Sequence, residues 1–242
     1  MDEFDLLVSV EHEAALFAAA CEATGLDAPV PPCPGWDVAD LLWHLTEVHW
    51  FWGTIVAERR TTPKGMAGLE RPADDQLMNV YYDRLGELVD ALRSTDAQTP
   101  VWSWSGGDKN VAWVIRRMAH ETAVHRWDAE VATDTPAPID PLLASDGIDE
   151  FLANFLPWTT DGAAPVGGSV HIHCTDTPGE WTVVEGGEGF TVTREHAKGD
   201  CALRGEASDL LLALWHRLPL SAVEVLGDTG VAERFVAHTR LS

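Results

Sequence analysis

Through the first two-thirds of the chain, apolar residues recur at steps of three and four, the period of a helix with one face turned inward. The stretch from about Phe4 to Thr24 predicts a first helix that stops at Gly25, and four prolines between Leu26 and Gly35 prevent its continuation. A second helix starts at Trp36-Asp37. Asp37 is placed to cap it, Asp40 favours its N-terminal dipole, and Leu41, Leu45, Val48, Trp52 and Ile55 form its apolar stripe. His44 lies beside Leu41 and Val48 and is expected to face inward. After a loop from Thr61 to Pro72, a third helix is expected over Asp74 to Leu92. A turn-rich segment from Pro100 to Lys109 leads to a fourth, capped by Asn110.

The period changes after Pro136 to Pro141. A helix around Leu142 to Leu156 is followed by short β-like runs at Ser169–Cys174, Trp181–Glu185, Phe190–Thr193 and Ala202–Arg204, separated by glycine-rich turns. Ala207 to Arg217 reads as a helix, Ala222 to Leu226 as a strand, and a last helix runs to about His238. The expected fold is α+β: a helical bundle over residues 1–138 and a smaller α+β domain over 139–242, with no internal repeat.

Chemistry enters on the fourth helix. Val114, Met118, Glu121, His125 and Asp128 follow one another at steps of three and four, so an apolar stripe runs directly into ionisable groups that need partners. Positions four apart differ by about 40° around a helix, which sets the Glu121 carboxylate beside the His125 imidazole. If a facing helix adds His44, three nitrogen and oxygen donors meet and one coordination position is left for an exchangeable ligand. That arrangement suits zinc first, and also iron, nickel or cobalt. The competing reading is a surface ion pair between Glu121 and His125. The sequence His120-Glu121 invites comparison with the H-E-x-x-H protease helix, but the next histidine is five positions from His120, about 140° away, so that reading fails. A di-iron bundle fails as well, because it needs repeated Glu-x-x-His pairs. Asp128 is placed to orient the His125 ring or to pair with Arg117 or Arg126. His171 and His173 share one face of a strand, but no adjacent carboxylate or cysteine completes a set, so they are expected to cover the sheet. His12, His49, His196, His216 and His238 are taken as isolated.

Composition narrows the function classes. A formal charge of -23, with three Lys and thirteen Arg, excludes the basic patches that nucleic acid or an anionic membrane surface requires. The acidic N-terminus and the absence of a long apolar run predict a cytoplasmic protein with neither signal peptide nor membrane span. Cys21, Cys33, Cys174 and Cys201 are scattered, which predicts buried thiols and not a disulfide framework. Six of the 11 tryptophans crowd the two segments that carry His44 and Glu121, where they pack the bundle or line a pocket.

At these residues the chain resembles the mycothiol-dependent maleylpyruvate isomerase family of actinobacteria. The resemblance rests on Pro34-Gly35-Trp36 leading to His44-Leu45, on His120-Glu121 leading to His125, and on Arg204-Gly205-Glu206 through Trp215-His216-Arg217-Leu218-Pro219, extended by Val225-Leu226-Gly227-Asp228. It implies a DinB-like four-helix bundle with His44, Glu121 and His125 as ligands of Zn2+ or another divalent metal. It also implies a sterol-carrier-like C-terminal domain closing over the site. Mycothiol would be the thiol cosubstrate, the substrate a small electrophile or dicarboxylate, and Arg217 its anchor, with Arg204 the runner-up. The activity implied is isomerisation of the maleylpyruvate type or thiol transfer. A zinc-dependent hydrolase and a non-catalytic protein that binds a small ligand are the alternatives.

Overall fold

The computed structural model describes residues 1–134, 136–158, 164–187 and 189–239. The chain divides into two compact units, Met1–Ala137 and Pro138–Ser242. Together they make an α+β protein, four long helices followed by a five-stranded sheet with its own helices.

The first unit contains α1 (Glu3–Thr24), α2 (Val38–Ala57), α3 (Leu77–Ser94) and α4 (Val111–Val131). Their starts follow from local chemistry. Asp37 accepts from the Asp40 amide while the Asp40 side chain returns to the Asp37 amide, closing a capping box, and the Asn110 side chain accepts from the Trp113 amide. The third helix begins later than its pattern suggests, because Asp74–Gln76 form a tighter 3-10 turn ahead of it. Helix α1 packs chiefly on α4, and α2 on α3. The second contact is close because Gly53 has no side chain: a Cβ there would stand 3.2 Å from the Leu88 Cα. Phe17, Leu41, Leu42, Leu45, Leu77 and Tyr81 fill the core between the helices.

Helix α4 is buried on nearly all sides, and its buried residues include Arg117, His120, Thr122, His125, Arg126 and Asp128. Such groups are tolerated only when paired. Arg126 donates from Nε to Glu13 at 2.7 Å, and from Nη1 to Glu130 at 2.7 Å and to the Ala137 carbonyl at 2.6 Å. One cation therefore ties α1, α4 and the chain beyond α4 together.

In the second unit, α5 (Pro141–Glu150) passes into a single π turn over Phe151–Phe155. Strands β1 (Ser169–Cys174), β2 (Glu180–Gly186), β3 (Gly189–Thr193), β4 (Cys201–Gly205) and β5 (Glu224–Gly227) form a sheet in the order β3-β2-β1-β4-β5. Only β1 and β4 pair in parallel. Val170, Ile172, Trp181, Val183 and Leu203 are buried on one face, and α6 (Ala207–Leu214) and α7 (Thr229–His238) pack on β1 and β4. Helix α6 ends three residues before Arg217, because His216 adopts a φ of 58°. Leu220–Ala222 then form a 3-10 turn, which delays the strand to Glu224. At the end of β5, Gly227 has a φ of 84°, and a Cβ there would fall 2.4 Å from the Asp200 carbonyl oxygen, so only glycine fits. No helix among the described residues is long and apolar enough to cross a membrane.

Replacing Arg126 tests the buried cation. Arg126→Ala leaves the buried Glu13 carboxylate without its partner and is expected to lower unfolding free energy by about 3–5 kcal/mol. Urea unfolding followed by circular dichroism measures it, and a loss below about 1 kcal/mol would show that the pairing is not needed.

Candidate metal centre

His44 comes from the second turn of α2, and Glu121 and His125 come from successive turns of α4. Among the described residues these three offer donor atoms within 4.8 Å of one another. Glu121 Oε1 is the shared point, 3.5 Å from His44 Nε2 and 3.3 Å from His125 Nε2. Donors about 2.0–2.1 Å from a tetrahedral ion stand about 3.4 Å apart, so both spacings match an edge of such a site. The two imidazoles meet edge to face with centroids 4.9 Å apart, and Trp36 lies against His44 at 5.1 Å.

The surrounding residues fix the donors. Arg117 Nη2 donates to Glu121 Oε2 at 2.5 Å, which holds the second oxygen and turns Oε1 toward the histidines. His125 Nδ1 donates to Asp128 Oδ2 at 2.9 Å, fixing the tautomer that leaves Nε2 facing Glu121. The Cys33 thiol donates to the same Asp128 oxygen at 3.5 Å. Exposure falls across the set, from 35% for the His44 side chain to 21% for Glu121 and 9% for His125. The His44 side is therefore the accessible one.

Electrostatics follows this layout. Burial alone would raise the Glu121 carboxyl, but Arg117 and the two imidazoles outweigh it and hold the group well below the usual carboxylate range. Burial likewise disfavours a charged His125, yet Asp128 and Glu121 prevail and hold its imidazole up to about 9. In the metal-free protein the His125 charge thus stabilises the fold fully below its unfolded value of about 6.5, and that contribution is lost as pH rises through about 9.

Several placements depart from the sequence reading. His44 is half-buried and not turned fully inward. Asp128 does meet His125, as the spacing allowed, and Arg117 also meets Glu121 while Arg126 meets Glu13 and Glu130. His120 is buried but stands outside the donor group. Cys33 is not an inert buried thiol, since it touches the carboxylate that orients His125. His49, set aside because it lies off the His44 stripe, is fully buried with Nε2 3.2 Å from the Thr122 hydroxyl. Burial pushes its imidazole down to about 3, so it stays neutral. The available signal was a second stripe of small and polar residues, Thr46, His49 and Gly53, facing another helix. In the second unit, the Arg217 Nη1 donates to the Trp215 carbonyl at 3.0 Å, and Arg204 pairs with Glu224 at 2.8 Å.

Four helices carrying a histidine–carboxylate–histidine donor set, followed by a small α+β unit, define the class of protein. The model of the mycothiol maleylpyruvate isomerase N-terminal domain matches residues 8–130, and that of the C-terminal domain of the same family matches residues 143–234. The chain belongs to this family. Two solved structures are similar in fold: the mycothiol-dependent maleylpyruvate isomerase and a histidine-to-alanine mutant of it. Each is 12% identical, with a TM-score of 0.62, over 95% of this chain and 94% of the other. A search of curated proteins finds no match.

The His125 titration can be followed directly. By NMR of the metal-free protein, the ring is expected to titrate near 9, and Asp128→Asn is expected to lower that midpoint by about one unit or more, since the carboxylate charge is removed. A midpoint unchanged by Asp128→Asn would mean that the pairing does not set the His125 charge.

Proposed function

We propose that this chain is a metal-dependent enzyme that uses a low-molecular-weight thiol such as mycothiol, as an isomerase of the maleylpyruvate type or a thiol transferase. The observation that carries the reading is the convergence of His44, Glu121 and His125 on one point, at spacings that fit a single divalent cation with one side accessible. Two neutral nitrogens and one carboxylate oxygen suit Zn2+ and accept neighbouring divalent metals.

Held by His44, Glu121 and His125, such a cation would favour the thiolate form of a bound thiol, the form able to add reversibly to a conjugated C=C and so free rotation about it. The protein supplies the rest. Glu121 brings one negative charge to the donor set while Arg117 neutralises its far oxygen, so the centre stays electrophilic. Asp128 keeps His125 oriented and accepts the hydrogen bond from the Nδ1–H that remains when Nε2 is a ligand. The accessible His44 side and its Trp36 neighbour provide the approach for thiol and electrophile.

Arg217 is the residue proposed to anchor the substrate carboxylate, through the paired donors of a guanidinium. Its hydrogen bond to the Trp215 carbonyl supports a second role, closing the C-terminal end of α6.

Elemental analysis of the purified protein is expected to find near-stoichiometric zinc, lost in His44→Ala with helical content retained. With mycothiol and maleylpyruvate supplied, the same substitution is expected to abolish thiol-dependent turnover. Full metal content in both His44→Ala and His125→Ala would refute the donor assignment. Arg217→Ala is expected to keep its metal and to lose about 2–3 kcal/mol of transition-state binding, roughly 30–150-fold in kcat/KM. Unchanged kinetics would leave Arg217 with only the helix-end role.

A further inference from the structure

The sheet face that carries His171 and His173 holds a second donor cluster that the strand pattern alone did not complete. His171 and His173 alternate on β1, and the register sets Glu180 of β2 directly opposite His173. The connection between β3 and β4 folds back over this face and brings His196 to the same place. His173 Nδ1 contacts Glu180 Oε1, and His196 Nδ1 lies 3.1 Å from both Glu180 oxygens. The His171 ring stands 5.1 Å from that of His196 and 5.8 Å from that of His173. His171 is only 7% exposed, and its Nε2 has no hydrogen-bond partner. A buried imidazole nitrogen left unpaired is costly, and it marks a site with room for a further group.

We propose that His171, His173, Glu180 and His196 form a second divalent transition-metal site, one that fastens residues 194–200 to the sheet. Each of the four offers a donor atom within 4.8 Å of the other three. Three imidazoles and one carboxylate make a borderline nitrogen-rich set that suits zinc, nickel or copper and disfavours calcium and magnesium, which take oxygen ligands. Four protein donors fill a tetrahedral shell, so the site is structural and leaves no position for substrate. A cleft of about 310 Å³ lined by His171, His196, Lys198 and Asp200 gives the ion a route of entry. The cluster draws only on the second unit and is independent of the reading of His44, Glu121 and His125.

The test is Zn2+ titration of the full chain after removal of metal by chelator. The wild type is expected to bind two equivalents, His44→Ala/His125→Ala one, and His196→Ala one. His196 is a good position for substitution because its side chain is 77% exposed in a connection, and circular dichroism confirms that the fold is kept. Loss of a direct ligand should weaken the sheet site by at least about tenfold, the lower limit for losing even a supporting partner. Zn2+ should also slow tryptic cleavage after Lys198 in the wild type and not in His196→Ala. A His44→Ala/His125→Ala protein that takes up no Zn2+ overturns the proposal, as does a His196→Ala protein that binds as the wild type does. A wild type whose single equivalent is lost in His196→Ala would instead uphold the sheet site and remove the bundle site.

Discussion

A helix buried on nearly every side can carry charge only if each charge is met by another, and α4 is built under that constraint. Arg117, Glu121, His125, Arg126 and Asp128 all lie within about three turns of it, all of them buried except the partly exposed Glu121. They are resolved in two groups. Arg126 turns to Glu13 and Glu130 and holds helices together. Arg117, Glu121, His125 and Asp128 form a chain of alternating sign that ends at the half-exposed His44. The first group serves the fold. The second leaves Glu121 Oε1 directed at two imidazoles that come from two different helices.

That asymmetry carries the functional reading. A carboxylate satisfied equally on both oxygens would be a closed ion pair, but Arg117 holds Oε2 alone and the histidines approach Oε1 from two helices. A cation held at that point would displace the proton that His125 holds in its absence, so metal and proton would compete for the same ring. Asp128 governs the outcome from behind, with Cys33 on its other side.

Much of this was legible in the sequence where the signal is local. Asp37 and Asn110 announce helix starts through side chains that reach three residues on, and the stripes that contain His44, Glu121 and His125 have helical spacing. The strand runs are found nearly where their alternation places them. What the spacing could not carry was partner choice across elements. Cys33 comes from a proline-rich loop, His49 meets a different residue from His44, and Arg126 reaches across to a glutamate of α1. Helix ends set by backbone conformation, as at His216, were also invisible, since a histidine at positive φ has no strong local cause.

The histidines of the sheet show the same limit most clearly. His171 and His173 advertise one face of β1, but whether they ligate or merely cover the sheet depends on which residue the register sets opposite and where a later connection crosses. Pairing with β2 supplies Glu180, and the turn after β3 supplies His196, both fixed by topology rather than by proximity in sequence. The two donor clusters then differ in the property that matters for chemistry. In the bundle, three donors with one accessible side would leave a bound cation room for a ligand, whereas on the sheet four donors would fill a tetrahedral shell. On the proposed reading the same residue types would serve catalysis in one place and fastening in the other, and the number of donors that the fold brings together would decide which.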